Sequence, residues 1–417
     1  MKRLLTRYAV NLVLAFASIL VMLVLTEIVL RFTPYKNLLP AIQIEPLRNY
    51  LKLDPVKGYD IRDNAPLSSA FVDGLKYSIW SNELGCFDMP YTGEKDFTLL
   101  VGDSFTFGFA PFNDKWGTKA ENLLGQRILK CGVGGYGTRQ ELLKAADVIS
   151  RTKRSPKLII VGYFLNDLED DYLFPNATII DGYPVVTRDI KDMETGKIVE
   201  KEKAALEEDK AFGVKEYPHN FLLKNLKWRA ERQSIVYHMV KYSARSMLLK
   251  VPFVKDILVK TKAITPFTLA FSDKPWVDWA WSVHFLNLRT FKALADRHGS
   301  RLLVVIIPYR EQVYPFLTSW EGMDREKPQN MLRDFFNKEG IDHLDVLPLF
   351  KKRARQTRHV LNRDQDLYWG NDPHLNIKGN DLLSLLVSQY ILQKDLLVVS
   401  DKNKKLSDLQ GKLDAFN

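Results

Sequence analysis

Leu99-Leu100-Val101-Gly102-Asp103-Ser104-Phe105 reads as a buried strand ending in a tight turn that presents a serine. Leu99 to Val101 supply the apolar run, and Gly102 permits the sharp backbone turn behind it. A serine at the carboxyl end of a central parallel strand sits where open α/β sheets place their ligands. Its own N–H, at the start of the next helix, would face an oxyanion formed there. The tripeptide Gly-Asp-Ser alone is common in loops. Its reading turns on whether a base, an orienting acid and further oxyanion donors stand at compatible places.

Outward from this turn, short apolar runs alternate with helical periodicity from about residue 96, the pattern of βαβ units. Strands are predicted at Thr98–Val101, Arg127–Lys130, Leu158–Tyr163, Arg301–Ile307 and Asp342–Leu347. Helices are predicted at about 115–124, 138–150, 282–298, 328–338 and 377–393. The fold class is therefore α/β, a three-layer sandwich around a five-stranded parallel sheet covered on both faces. The third and fourth strands are too far apart in sequence for a simple crossover, so residues 169–275 form an insertion. Within it, Asn176 to Val186 suggests a small hairpin or loop, and Arg188 to Lys215 is densely charged. A basic, partly amphipathic helical region follows at 221–262, where Leu222, Leu226, Ile235, Met239 and Tyr242 share a face. A lid, a partner-docking surface or a plain structural excursion all fit this segment.

Composition bounds the function classes. The 417 residues are 46% hydrophobic and 26% charged, ordinary for a globular chain. Ten Lys/Arg against two acids (Glu231, Asp256) lie between Lys224 and Lys262, so most of the net +10 sits in one segment. A localised basic face suits a membrane surface or a solvated helix better than a nucleic-acid groove, and no nucleic-acid partner is expected. Lys2, Arg3 and Arg7 precede an uncharged run from Tyr8 to Thr26. Extended through Leu30, that run reaches the roughly 20 residues that span a bilayer. No small-x-small cleavage site follows it, so residues 1–32 are expected to be an uncleaved signal anchor, contacting lipid through 8–30. The positive-inside bias puts the N-terminus in the cytoplasm and the remainder outside. Residues 33–74 read as a linker, 75–168 with 276–395 as the catalytic domain, and 396–417 as a tail. Cys86 and Cys131 are the only cysteines, and buried free thiols are expected rather than a bridge. No Cys/His spacing suggests a metal site, and no cofactor is expected.

Among seven histidines, only His374 has a suggestive setting, in Asp372-Pro373-His374-Leu375-Asn376 just before the closing helix. An acid two residues before the His can bond the imidazole nitrogen facing away from the serine. A second segment, Cys131-Gly132-Val133-Gly134-Gly135-Tyr136-Gly137, follows the second strand and lets backbone N–H groups approach a ligand. It lacks the Lys-Ser/Thr of a phosphate loop, and a dinucleotide fingerprint would follow the first strand instead. A third, Gly162-Tyr163-Phe164-Leu165-Asn166-Asp167, ends the third strand with an amide that can aim at the same oxyanion. Three consecutive strands thus end in groups useful for acyl transfer.

These blocks resemble those of the SGNH (GDSL-type) hydrolase superfamily, over about 75–168 and 276–395. The resemblance implies a flavodoxin-like fold with Ser104 as nucleophile, Gly135 and Asn166 as oxyanion donors, and His374 as base. Phe164 stands where many members carry glycine, and Lys130 where an Asn is often found. The usual last block spaces Asp three before His, a position held here by Asn371. The two-residue spacing is similar to that of membrane-associated polysaccharide O-acetyltransferases of the alginate type. Asp372 is therefore the expected orienting acid, with Asn371 as the alternative. The resemblance implies an ester of carbohydrate or another small acyl ester as substrate. For a transferase, it implies a multi-pass membrane O-acyltransferase partner. A catalytically silent tethered binding module is the competing class. Arg310, Tyr314 and Asp167 are candidate substrate contacts at the strand ends, although Arg310 and Glu311 equally suit an internal pair. Trp276, Trp279 and Trp281 fit a helix core better than a carbohydrate platform.

Overall fold

The computed structural model describes residues 2–33, 42–45, 49–73, 75–172, 174, 177–180, 183–186, 234–237, 239–240, 270–271, 275–315, 324–354, 367–370 and 372–416. The charged stretch 188–215, most of the basic stretch 221–262, Asn176 and Asn371 lie outside these residues. Two compact units are present: Met1–Ala41 with Glu207–Ala263, and Ile42–Leu206 with Ile264–Asn417. The first contains α1 (Lys2–Leu30), whose stretch Val10–Leu30 is long and apolar enough to cross a membrane. A signal sequence would meet the same description.

The second unit begins with five short strands: β1 (Ile42–Glu45), β2 (Leu51–Asp54), β3 (Gly58–Ile61), β4 (Ser68–Val72) and β5 (Leu75–Ile79). Then come β6 (Thr98–Gly102), α2 (Ser104–Phe107), α3 (Trp116–Leu124), β7 (Ile128–Lys130), α4 (Thr138–Thr152), β8 (Leu158–Phe164) and α5 (Asp167–Tyr172). Within the insertion, β9 (Ala177–Ile180) and β10 (Tyr183–Val186) form an antiparallel hairpin. The chain returns as α6 (Pro275–Arg297), β11 (Arg301–Ile307), α7 (Arg310–Val313), α8 (Lys327–Glu339), β12 (Asp342–Asp345), α9 (Leu347–Arg353), α10 (Ile377–Gln393) and α11 (Lys402–Asp414).

The five predicted strands form one sheet in the order β12-β11-β8-β6-β7, every pair parallel. Residues of β6, β8 and all of β11 after Arg301 are buried, as a sheet covered on both faces requires. After β7 the chain crosses back over β6 to reach β8, so the loops leaving β6 and β8 diverge. The crevice between them, at Gly102 and Gly162 in register, is the switch point of an open sheet. Gly102 has φ +155°, and a side chain there would strike Thr106 Oγ1, so the turn into α2 closes only on glycine.

Three expectations are corrected. Residues 42–72 are not a linker: β1-β4-β5 form an antiparallel sheet and β2-β3 a hairpin. Alternate residues of β4 are buried, and Tyr50, Tyr59, Ile61, Ala70, Val72, Tyr77 and Ile79 make a second core with Phe87, Phe107, Val133 and Tyr136. The final residues are no tail either, since α11 buries Leu409 and Leu413 in the main core. Finally, Cys86 and Cys131 are bonded, with their Cα atoms 4.4 Å apart. Cys86 precedes Phe87 of the second core, and Cys131 extends β7 by donating its N–H to Leu100 O at 2.8 Å. The packing of the strand module brings together two segments 45 residues apart in sequence.

A bridge closing that loop stabilises the folded state by about 4 kcal/mol in the chain-entropy picture. Replacing both cysteines by serine should therefore lower the thermal midpoint on the order of 10 °C by differential scanning calorimetry. Alkylation with and without reductant, read by intact mass, should find no free thiol before reduction.

Candidate active site

Asp103 caps α2 by accepting the Phe105 N–H at 2.8 Å, which fixes the turn and directs Ser104 outward from the end of β6. Ser104 Oγ lies 2.7 Å from His374 Nε2 and 3.2 Å from Asp103 Oδ2. His374 Nδ1 lies 2.5 Å from Asp372 Oδ1, which also accepts the His374 backbone N–H at 2.9 Å. With Nδ1–H donating to the Asp372 carboxylate, Nε2 keeps its lone pair for the serine hydroxyl. Ser104 thus meets His374, 270 positions away in sequence, and with Asp372 they form one hydrogen-bonded chain.

The loop carrying the base is fastened on several sides. Asn376 caps α10 by accepting the Gly379 N–H, and Trp369 N–H donates to His374 O at 3.0 Å. Trp369 Nε1 donates to Phe109 O at 3.1 Å, and Gly370 N–H to Asp73 Oδ2 at 3.0 Å. The rings of Phe105 and Phe109 each lie 4.7 Å from the imidazole. Apart from the Asn376 cap, these contacts are not legible in the sequence, because they join the segments of Asp73, Phe109 and Trp369, which are far apart along the chain.

The glycine run is delivered by β7. Val133 N–H donates to Gly102 O at 2.9 Å, keeping this segment alongside the end of β6. A Cβ on Gly134 would lie 3.8 Å from Ser104 Cβ, so Gly134 is the glycine facing the nucleophile. Gly135 follows at φ +78°, a left-handed conformation suited to glycine. Tyr59 OH donates to Gly134 O at 2.7 Å, and Tyr136 OH to Tyr59 O at 2.5 Å. The strand module therefore braces the loop from behind.

Asn166 lies at the end of β8, where Nδ2 donates to Asp170 Oδ2 at 3.0 Å and Oδ1 is buried without a partner among the described residues. The candidate substrate contacts fare differently. Asp167 is fully buried, with Oδ2 accepting the Phe164 N–H at 3.3 Å, and has no open face for a substrate. Tyr314 is likewise buried, and its hydroxyl accepts the Leu367 N–H at 3.2 Å. Arg310 pairs with Glu311 at 3.0 Å, the internal arrangement. Trp281 is buried and Trp279 exposed. No group of His, Cys, Asp and Glu that could hold a metal occurs among the described residues.

Behind the serine lies a set of buried acids. Burial pushes the Asp103 carboxyl up to about 6, against the pull of the Phe105 N–H and the His374 charge. Burial also raises Asp167 and Glu141 well above the usual carboxylate range, with neighbouring acids adding to the effect. Neither oxygen of Glu141 has a hydrogen-bond partner among the described residues.

No family model matches the chain, and no curated protein matches it. Solved structures similar to it include a member of the lipolytic protein G-D-S-L family from Veillonella parvula DSM 2008, at 10% identity and TM-score 0.32, covering 72% of this chain and 97% of that one. A catalytic mutant of Axe2, an acetylxylan esterase from Geobacillus stearothermophilus, is similar at 12% identity and TM-score 0.35, covering 71% and 93%. LAE5, an alpha/beta hydrolase enzyme from the metagenome of Lake Arreo, Spain, is similar at 12% identity and TM-score 0.34, covering 74% and 95%. Likenesses at this level of identity and superposition assign no chemistry to this chain.

The raised Glu141 carboxyl has a consequence for stability. The folded state holds this proton more tightly than the unfolded chain, so the contribution is full below the ordinary value of 4.5 and is lost as pH rises toward the folded value. Glu141→Gln should raise the thermal midpoint by roughly 5 °C at about pH 8, with the gain shrinking under acid conditions, as scanning fluorimetry across pH will show.

Proposed function

We propose that the chain is a serine esterase or O-acyltransferase acting through an acyl-enzyme on Ser104. The observation that carries this reading is the unbroken chain of short contacts from Ser104 Oγ through His374 to Asp372. Nε2 takes the hydroxyl proton as Oγ attacks the acyl carbonyl, and Asp372 stabilises the imidazolium that forms. His374 then returns the proton to the leaving alcohol, and the acyl group passes to water or to a second hydroxyl. For the tetrahedral oxyanion we assign the Ser104 and Gly135 N–H groups and the second hydrogen of Asn166 Nδ2 as donors. An assembled triad counts against the silent binding module.

The finer reading is an extracytoplasmic enzyme, held by α1, that works on O-acyl esters of carbohydrate, with acetyl as the acyl group. The resemblance of the Asp-x-His spacing supports it. So does the Cys86–Cys131 bond, because such bonds persist in oxidising compartments. Acyl transfer is favoured by the Phe105 and Phe109 rings around the base, since apolar walls restrict water near an acyl-enzyme. A multi-pass membrane protein would then supply the acyl group.

Detergent-solubilised full-length protein, incubated with an acetylated glycan with and without an unacetylated acceptor, should give free acetate or acetylated acceptor. Ser104→Ala should lower either rate by about 10⁴-fold or more, and equal rates for variant and wild type would sink the enzyme reading. Asp372→Ala should cost about 10³-fold or more and Asn371→Ala little; the reverse order would move the orienting role to Asn371.

A further inference from the structure

The Asn166 side chain has two chemically opposite ends, and an oxyanion suits only one of them. An amide nitrogen donates to developing negative charge, whereas an amide oxygen turned the same way repels it. Which end faces the crevice is decided by what the rest of the amide meets. An ionised carboxylate accepts hydrogen bonds and gives none, so the atom beside Asp170 is the nitrogen, and Nδ2 donates to Asp170 Oδ2 at 3.0 Å. The backbone pairs the two residues in reverse, with the Asp170 N–H donating to Asn166 O at 2.9 Å. Asn166 Oδ1 is buried without a partner among the described residues. A desolvated oxygen with no donor gains by turning toward water. Left to itself, the amide would rotate that oxygen out into the crevice. The bond to Asp170 opposes the rotation.

Asp170 is itself set against the other half of the site. A Cβ on Gly137 would lie 2.8 Å from Asp170 Cβ and 2.9 Å from the Asp171 nitrogen. The end of the glycine run therefore admits α5 only because position 137 has no side chain. Asp171, the next residue, fixes this turn from two sides. Its Oδ1 accepts the Arg139 N–H of α4 at 2.7 Å. Its Oδ2 lies 2.7 Å from His284 Nδ1 and accepts from Asn287 Nδ2 at 2.8 Å, both on α6.

We propose that Asp170 is a positioning residue for the oxyanion, holding the Asn166 amide with its nitrogen toward the tetrahedral intermediate. The proposal rests on the reading of Ser104 as the acylated nucleophile. Asp170 acts only through Asn166, by selecting the rotamer of its amide. Its loss lowers oxyanion stabilisation in acylation and deacylation alike and leaves binding of the ground-state ester unchanged.

The test assays full-length protein in detergent with p-nitrophenyl acetate. Asn166→Ala should lower kcat about 100-fold. Asp170→Ala should lower kcat about 10- to 30-fold with KM unchanged. In the Asn166→Ala background the same change should cost less than about twofold, because the group it acts on is gone. Asp170→Asn keeps an oxygen that can accept from Nδ2 and should return kcat to within about threefold of wild type. Where Asp170→Ala does not fold, Asp170→Leu, similar in branching but with no acceptor, takes its place. Wild-type kinetics in Asp170→Ala, an equal loss with and without Asn166, or no recovery in Asp170→Asn overturns the proposal. Labelling of Ser104 by a fluorophosphonate probe reads the nucleophile separately. Labelled, active wild type with any of those three results removes the role of Asp170 alone. Wild type that neither takes the label nor hydrolyses the ester removes the esterase reading, and the proposal with it.

Discussion

Parallel pairing of β6 between β7 and β8 is the constraint on which the site depends. Strands that run the same way bring all their carboxyl ends to one edge of the sheet. Because the chain passes from β7 back over β6 to β8, the loops at that edge part and leave a crevice. Ser104, the glycine run and Asn166 reach the crevice from three strands held in register. The burial of these strands makes this placement stiff, since a slip by one residue would exchange every side chain between the two packed faces and break the fit on both. His374 is the exception. It arrives on a loop beyond the sheet, so its position depends on side-chain and backbone bonds rather than on pairing.

The parts legible in the sequence were those with a local physical signature. Arg301–Ile307 was read to the residue because seven positions are apolar apart from the first, and 377–393 because Asn376 caps a long apolar period. The start of α6 was placed too late, since the aromatic cluster at its head hides the helical period. Ser104, Asp372 and His374 were found from residue type and spacing, and the structure brings them together. The strands of residues 42–72 have no clear local signature, because each has only four or five residues, too few for an alternating pattern to stand out. The Cys86–Cys131 pairing and the burial of Asp167 and Tyr314 were missed for a single reason. Each is a property of contacts between distant segments, which one sequence does not contain.

The second core changes what counts as the catalytic domain. Phe107 follows the nucleophile by three positions, and Val133 and Tyr136 flank the glycines, yet all three pack against the β1–β5 module. Tyr59 and Tyr136 pass the bracing on through hydrogen bonds to backbone carbonyls. A site built on the sheet alone would leave these phenols and the glycine loop in water. Here the strand module acts as the rear wall of the crevice.

The Asp372 carboxylate bonds both the ring and the backbone of His374. Acid and base therefore form a closed unit on one short loop, already aligned with each other before the nucleophile is considered. The geometry left to be set is a single length, the gap between that loop and the turn at Ser104. Trp369 on Phe109 and Gly370 on Asp73 act as its two calipers. Drift in the scaffold is read at the serine as one scalar, open or closed, and never as a loss of the imidazole's aim.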